Sequence, residues 1–223
     1  MTDYLTNPIW SALTTRHETL AEGNDVARRY PADFTSLAGM KDDSADSFSN
    51  LRQIAGDKAV CIFSSQSPTI PDGWEVQGTF DVAQMVCEKL LECREYIFEV
   101  LTKADLPEIK ELVEITQPGP FADRTIEFGT FIGIKDGAKL IAMTGERMKV
   151  PGYDEVSAVC THPDYQGKGY ARALVYAVAC MIRQRGNKPL LHVRADNEAA
   201  IRSYQAIGFA TTRILLFSII KPT

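Results

Sequence analysis

The stretch that decides the fold runs from Val156 to Leu174 and reads VSAVCTHPDYQGKGYARAL. Its apolar beginning belongs to a strand predicted over residues 154–162, and this strand ends at Pro163. A Gly-Lys-Gly turn follows, and apolar residues at three- and four-residue intervals then predict a long amphipathic helix over 169–185. A strand that enters a glycine-rich turn and then a helix directs backbone N–H groups and a positive helix end at one point, which suits an anion such as a diphosphate.

The residues of the turn fit this interpretation. Gly167 and Gly169 let the backbone approach a ligand without a Cβ in the way, and Lys168 and Arg172 add positive charge close by. The turn is not a P-loop, because G-x-x-x-x-G-K-[ST] is missing, and it lacks the G-x-G-x-x-G dinucleotide pattern. Taken alone, a Gly-Lys-Gly turn before a helix is more often only a turn, so the interpretation depends on its surroundings.

The elements around the turn form an alternating α/β pattern over residues 95–223. Asp136-Gly137 between two apolar runs predicts a β-hairpin within 127–150, since glycine accepts the positive φ of a tight turn. The other predicted elements are strands over 95–102, 189–195 and 209–220 and helices over 104–117 and 197–208.

In this setting the sequence resembles the GNAT superfamily of acyl-CoA-dependent N-acyltransferases. The superfamily signature [Q/R]-x-x-G-x-[G/A] is matched by Gln166-Gly-Lys-Gly-Tyr-Ala171, and a second family element is matched by Asn197 to Phe209. The resemblance covers residues 95–223 and implies an α/β (α+β) fold with a mixed, splayed central sheet flanked by helices. It also implies a homodimer as an option, although no residue demonstrates one.

The resemblance implies that acetyl-CoA, as acyl donor, inserts beside the 154–162 strand. Backbone groups of Val159 and Thr161 would then bond the acyl carbonyl and the pantetheine arm, and the N–H of Val159 would stabilise the developing oxyanion. Asn197 would orient the pantetheine, and as an N-cap it would also begin the following helix. The predicted cofactor-binding residues are Val159, Thr161, Gln166, Gly167, Lys168, Gly169, Tyr170, Ala171, Arg172 and Asn197.

Two residues are predicted to be catalytic. Glu155 falls where some family members carry a general-base glutamate, and strand alternation places it on the face of Val159, about 13 Å away at roughly 3.3 Å per residue, so it would act through water. Tyr204 would protonate or hydrogen-bond the departing CoA thiolate. The alternatives are a solvated carboxylate at a strand edge for Glu155 and a packing role for Tyr204. Alternation places Cys160 on the opposite face, as a small buried thiol rather than a nucleophile.

Residues 1–94 carry no chemical motif and are treated as a separate N-terminal region. We expect it to be a degenerate half of the same fold or a cap that shapes the substrate pocket. The predicted elements are a helix over 9–20, a polar loop over 38–50, a strand over 58–65 with a partner strand over 74–80, and a helix over 83–93.

Composition narrows the function classes. The chain has 24 Lys and Arg against 29 Asp and Glu, a net charge of −5, which argues against binding to nucleic acid or an anionic membrane surface. No apolar run approaches the roughly 20 residues that span a bilayer. Five cysteines without a C-x-x-C pair are typical of reduced thiols in the cytoplasm, and three scattered histidines predict no metal site.

These observations favour an N-acetyltransferase that moves the acetyl group of acetyl-CoA to a primary amine of a small molecule or peptide by direct attack. A transferase for a longer acyl chain or another acceptor is the first alternative. A CoA-binding regulatory module without turnover is the second.

Overall fold

The structure, a computed structural model, describes residues 3–223. The helices are α1 (Pro8–Leu13), α2 (Ala45–Ala55), α3 (Leu106–Thr116), α4 (Tyr170–Gln184) and α5 (Glu198–Gln205). The strands are β1 (Glu22–Gly23), β2 (Ala27–Arg29), β3 (Ala38–Met40), β4 (Val60–Ser64), β5 (Trp74–Cys87), β6 (Glu99–Leu101), β7 (Phe131–Asp136), β8 (Lys139–Val150), β9 (Tyr153–Thr161), β10 (Lys188–Arg194) and β11 (Phe209–Pro222).

Eight strands form one large sheet in the order β4-β11-β5-β10-β9-β8-β7-β6, and β1 to β3 form a small separate sheet. β9 and β10 run parallel, while the other neighbours in the large sheet are antiparallel. The parallel pair is short: it joins Lys188 to Tyr153 and ends at Leu190 and Glu155. Beyond that point β10 continues along β5 and β9 along β8, so the sheet splays open. The predicted mixed, splayed sheet flanked by helices is confirmed.

The two faces of the sheet bury different cores. One core packs α4 against β5, β9 and β10, and its buried members include Leu174, Val178 and Leu191. The other packs α1 and the segment around Tyr30 and Phe34 against the opposite face. Both faces of the central strands are therefore covered, as expected for a sheet with a parallel pair at its centre.

The N-terminal region supplies two strands to this sheet. β5 lies between β10 and β11, and β4 lies on the outer side of β11. The prediction that residues 58–65 and 74–80 pair with each other is wrong, because β11 separates the two strands.

The predicted helix over 83–93 is also wrong, since β5 continues through Cys87. Val82, Gln84 and Val86 face one side of the sheet, whereas Ala83, Met85 and Cys87 face the other, and all six are buried. A continuous apolar run arises when both faces of a strand are covered, and periodicity alone cannot separate such a run from a buried helix.

The predicted polar loop over 38–50 instead contains β3 and the beginning of α2. The Ser44 side chain accepts a hydrogen bond from the Ser47 N–H at 3.2 Å and caps α2. Phe48, Leu51 and Ala55 are buried on one side of the helix, a stripe that the acidic and serine-rich composition conceals. Two further elements are shorter than predicted, because α1 ends at Leu13 and β6 covers Glu99–Leu101 alone.

The C-terminal elements follow the sequence closely. The hairpin of β7 and β8 turns at Gly137, which has a φ of +60°. The predictions of α3, β9, α4, β10, α5 and β11 are confirmed to within a few residues at each end. Within residues 3–223, none of the helices combines the length and the apolar character that crossing a bilayer requires.

Candidate active site

The Gly-Lys-Gly turn lies at the end of β9 and forms the beginning of α4. Gly167 and Gly169 have φ values of +76° and +86°, a region that other residues enter only with strain. The N–H groups of Gly169 through Arg172 form the first turn of the helix, and no backbone acceptor of the described chain takes them. The turn therefore presents unpaired donors at the positive end of a fifteen-residue helix.

A side-chain bond fixes the approach to this turn. The Tyr165 hydroxyl donates to Asp136 Oδ2 at 2.7 Å, which ties the end of β9 to the β7–β8 hairpin. The Lys168 ammonium lies 4.9 Å from the centre of the Tyr165 ring, in the range of a cation–π contact. The Lys168 ammonium is therefore held beside the Tyr165 ring.

β9 contains a bulge at the point where the sheet splays. Ser157 pairs with Gly145 and Cys160 with Met143, so β9 has one more residue than β8 over this interval. Ala158 has a φ of +52°, which is strained for alanine. Val159 has no register partner on β8 and β10 has already diverged, so its backbone faces the opening.

The bulge overturns one prediction. Val156 and Val159 both pack in the α4 core, whereas Ala158 and Cys160 pack against α3. Simple alternation therefore fails between Glu155 and Val159, and their side chains lie on opposite faces of the sheet. Cys160 does lie opposite Val159, and burial raises the pKa of its thiol to about 12, which excludes a reactive thiolate.

A cleft of about 650 Å³ occupies the opening between β9, α4 and α5. Ten of the twelve predicted site residues line it: Val159, Thr161, Gln166, Gly167, Gly169, Tyr170, Ala171, Arg172, Asn197 and Tyr204. Residues that the sequence did not single out complete the wall: Ile115, Thr116, Pro163, Tyr165, Ala199, Ala200 and Ser203. Ile115 and Thr116 come from α3, a helix that the sequence predicts without indicating that it borders the cleft.

Polar groups in the cleft have spare hydrogen-bonding capacity. Thr161 Oγ1 is buried and has no hydrogen-bond partner among residues 3–223. The Asn197 side chain accepts from the Ala200 N–H at 3.1 Å, so its predicted role as N-cap of α5 is confirmed. Tyr204 is buried within the wall, and burial raises the pKa of its phenol to about 12.

Glu155 and Lys168 do not line the cleft. Glu155 is fully buried, and Arg147 donates to both of its oxygens, from Nε at 2.9 Å and from Nη2 at 2.6 Å. His192 Nδ1 lies 2.7 Å from Glu155 Oε1, and the Met148 N–H donates to Oε2 at 3.2 Å. Burial by itself would raise the pKa of Glu155, but Arg147 and His192 hold it at about 2. Sequence reasoning missed this network because its members lie on three strands, β8, β9 and β10, whose pairing brings them together.

A family model described as FR47-like protein matches residues 131–217. Curated relatives match shorter segments. A mycothiol acetyltransferase of Rhodococcus jostii is 42% identical over 60 residues, which are 26% of this chain and 20% of the relative. The N-alpha-acetyltransferase RimI of Mycobacterium tuberculosis is 33% identical over 82 residues, which are 35% of this chain and 51% of the relative. The chain thus spans about a fifth and about half of the lengths of these relatives.

Solved structures match over greater lengths. A crystal structure from Novosphingobium aromaticivorans, described as an acetyltransferase of the GNAT family, has a TM-score of 0.92 and 29% identity and covers 100% of both chains. A GCN5-related N-acetyltransferase from Kribbella flavida has a TM-score of 0.70 and 11% identity, over 98% of this chain and 96% of that one, which shows a shared fold.

Proposed function

Because the chain belongs to the GNAT superfamily of acyltransferases, we propose that it transfers the acetyl group of acetyl-CoA to a primary amine of a small molecule or peptide. The observation that carries this proposal is that the glycine turn, the β9 bulge and Tyr204 all border one cleft of about 650 Å³.

The turn supplies the anion-binding part of the cleft. The diphosphate of acetyl-CoA would accept from the free N–H groups at the beginning of α4, and Arg172 would add a positive charge beside it. The net charge of −5 does not oppose this, since binding depends on the charges near the ligand rather than on the total. Gln166 and Ala171 belong to the same turn and would shape the wall of the cleft beside the diphosphate.

The strand supplies the reacting part. The pantetheine arm would lie parallel to the opened edge of β9. There it would form hydrogen bonds with unpaired backbone groups and with the free Oγ1 of Thr161. The Val159 N–H would donate to the thioester oxygen, where negative charge develops during attack by the amine. A thioester is already activated, so the attacking group needs only to have lost its ammonium proton.

Tyr204 would stabilise the leaving group. A pKa of about 12 keeps its phenol protonated at neutral pH, so it can donate a hydrogen bond to the departing sulfur. An ordinary thiol has a pKa of about 8.5. Complete proton transfer from this phenol to a thiolate would therefore be unfavourable, and hydrogen-bond donation is the role that fits.

We propose that Glu155 mainly stabilises the strands around the site. A role as general base is the alternative. A carboxylate with a pKa of about 2, held by Arg147 and His192, has little tendency to accept a proton at neutral pH. Its hydrogen bonds to residues of β8 and β10 would fix the strand beside the proposed acyl site. The sequence prediction of a general base remains a hypothesis that the pH profile of a variant can decide.

The experiment that tests the proposed function measures CoA thiol release with acetyl-CoA and a panel of amines, followed by mass-spectrometric identification of the products. We expect an acetylated amine and stoichiometric CoA. Titration calorimetry with acetyl-CoA and CoA runs in parallel. Binding without turnover on any amine would favour the regulatory module, while the absence of binding would overturn the proposal.

A further inference from the structure

The segment of residues 88–98 joins β5 to β6 and crosses the outer side of α4 without forming a helix or strand. It is anchored at one end, where the Leu91 N–H donates to the Ile207 carbonyl at 3.1 Å and Arg183 Nη1 donates to the Glu88 carbonyl at 2.7 Å. Building on the proposed function, we propose that Tyr96 in this segment is a positioning residue for the diphosphate of acetyl-CoA.

Tyr96 contacts the glycine turn through its hydroxyl and its ring. Its hydroxyl donates to the Lys168 carbonyl at 2.6 Å. Its ring meets the Tyr170 ring edge to face, with centroids 4.8 Å apart and an interplanar angle of 75°. The Arg94 guanidinium lies 4.8 Å from the centre of the Tyr96 ring and covers it. Neither Tyr96 nor Lys168 lines the cleft, whereas Gly167 and Gly169 do.

The bond to the Lys168 carbonyl determines where the next N–H points. In a trans peptide the carbonyl oxygen and the following N–H point in opposite directions. Tyr96, which does not line the cleft, holds the Lys168 oxygen toward itself, so the N–H of Gly169, which does line the cleft, points away from Tyr96. This N–H is the first of the unpaired donors at the beginning of α4.

The turn needs such a restraint because of its glycines. Lys168 lies between Gly167 and Gly169, and glycine populates more backbone conformations than any other residue. A peptide that could rotate between two glycines would lose this freedom when the ligand bound, which would weaken binding. The Tyr96 hydroxyl imposes the binding-competent orientation beforehand, and the ring contacts with Tyr170 and Arg94 hold the hydroxyl in place.

The test uses the full chain carrying Tyr96→Phe, which keeps the ring contacts and removes only the hydroxyl. Calorimetry measures the Kd of acetyl-CoA, and competition measures that of S-acetylpantetheine, which has the same thioester and arm but no diphosphate. We expect the Kd of acetyl-CoA to rise about two- to tenfold, the range of one lost hydrogen bond. The Kd of S-acetylpantetheine and kcat at saturating acetyl-CoA should not change.

Tyr153→Phe is the matched control, since Tyr153 lies at the start of β9 beside Lys188 and away from the cleft. It should match the wild type with both ligands. Unchanged acetyl-CoA affinity in Tyr96→Phe would overturn the inference, and so would an equal loss for both ligands, because that would indicate general distortion of the cleft. Failure of the proposed function is distinguishable, because the wild-type protein itself would then bind neither ligand or would bind acetyl-CoA without acetylating any amine.

Discussion

Two groups of polar residues flank β9, and they differ in how much of their hydrogen-bonding capacity the fold uses. In the cleft, the first N–H groups of α4 and Thr161 Oγ1 have no protein partner within residues 3–223. On the other face, both oxygens of Glu155 are engaged by Arg147, His192 and the Met148 N–H.

This difference indicates that the cleft residues bind a ligand and that the Glu155 network has a structural role. The buried Thr161 Oγ1 and the unpaired N–H groups that begin α4 lie in one cleft, an arrangement that fits a ligand supplying the missing partners. A carboxylate whose oxygens are both occupied has its partners already and contributes through the geometry it maintains. By this criterion the cleft is the proposed site for acetyl-CoA, whereas the Glu155 network connects β9 to β8 and β10.

The largest effect should come from breaking the satisfied network. We expect Glu155→Gln to lower the free energy of unfolding by about 3–5 kcal/mol, because it leaves the buried Arg147 without its counterion. Urea denaturation monitored by circular dichroism measures the loss. If Glu155 only supports the site, the folded variant keeps the shape of the wild-type pH profile of kcat.

A paired variant separates the two roles of Glu155. Arg147→Met combined with Glu155→Leu removes both charges and should recover much of the lost stability, since apolar residues of similar volume can replace a buried ion pair. Substantial turnover in this double variant would exclude Glu155 as the base. A stable double variant without turnover, together with loss of the acidic limb of the pH profile in Glu155→Gln, would establish the base.

The next effect depends on pH and comes from the same face. His17 Nδ1 lies 2.9 Å from the Tyr30 hydroxyl, and its ring stacks on Phe128 with centroids 5.6 Å apart. Burial, together with the nearby Lys149 and Arg16, lowers the pKa of His17 from 6.5 to about 4. The unfolded chain therefore binds a proton at a higher pH than the folded chain does.

The lower pKa of His17 in the folded protein determines how stability changes with pH. The stability associated with neutral His17 is complete above pH 6.5 and is lost as the pH falls toward 4. The loss amounts to about 3 kcal/mol at 1.36 kcal/mol per pKa unit. His17→Gln should flatten the stability curve in this window, measured by urea denaturation at closely spaced pH values. Glu155, whose pKa is lowered from 4.5 to about 2, loses its contribution only as the pH falls below about 4.5. A slope that persists in His17→Gln at pH values above this would therefore assign it to another group.

The sequence predicts the polar residues of the cleft better than the Glu155 network, because the glycine turn is one contiguous segment and the network is not. The cleft could be predicted because residues 166–172 are contiguous and their glycines and charges belong to one turn. The Glu155 network could not, because its members lie on three strands, β8, β9 and β10, and meet only after the sheet has formed. Predicting the face of Glu155 failed for a local reason, namely the extra residue at the Ala158 bulge.

The N-terminal strands show a second limit of sequence reasoning. β5 is buried on both faces at its C-terminal end, so its apolar residues do not alternate with polar ones. Its neighbours, β10 and β11, follow it by more than one hundred residues, and no local pattern indicates such distant pairing. Tyr96 was overlooked for the same reason, since its partner Lys168 is 72 residues away.

A smaller effect should distinguish conformational strain from ligand binding. Gly169→Ala places a side chain at a φ of +86°, which costs about 1–2 kcal/mol. Gly137→Ala in the β7–β8 turn, at a φ of +60° with open space around it, is the matched control. Thermal unfolding should show similar losses in both, whereas only Gly169→Ala should weaken acetyl-CoA binding, by about tenfold. Equal affinity in the two variants would remove Gly169 from the proposed binding turn.

The smallest effect concerns the leaving group. Thiolates leave readily, so a single hydrogen bond to the sulfur contributes modestly, and we expect Tyr204→Phe to lower kcat by about tenfold, or about 1.4 kcal/mol in the barrier. The Kd of acetyl-CoA should not change, because the hydrogen bond strengthens only as charge develops on sulfur. Since burial holds the pKa of the phenol at about 12, wild-type kcat should show no falling limb from Tyr204 below about pH 11. A raised Kd with unchanged kcat would instead make Tyr204 a binding residue of the cleft wall.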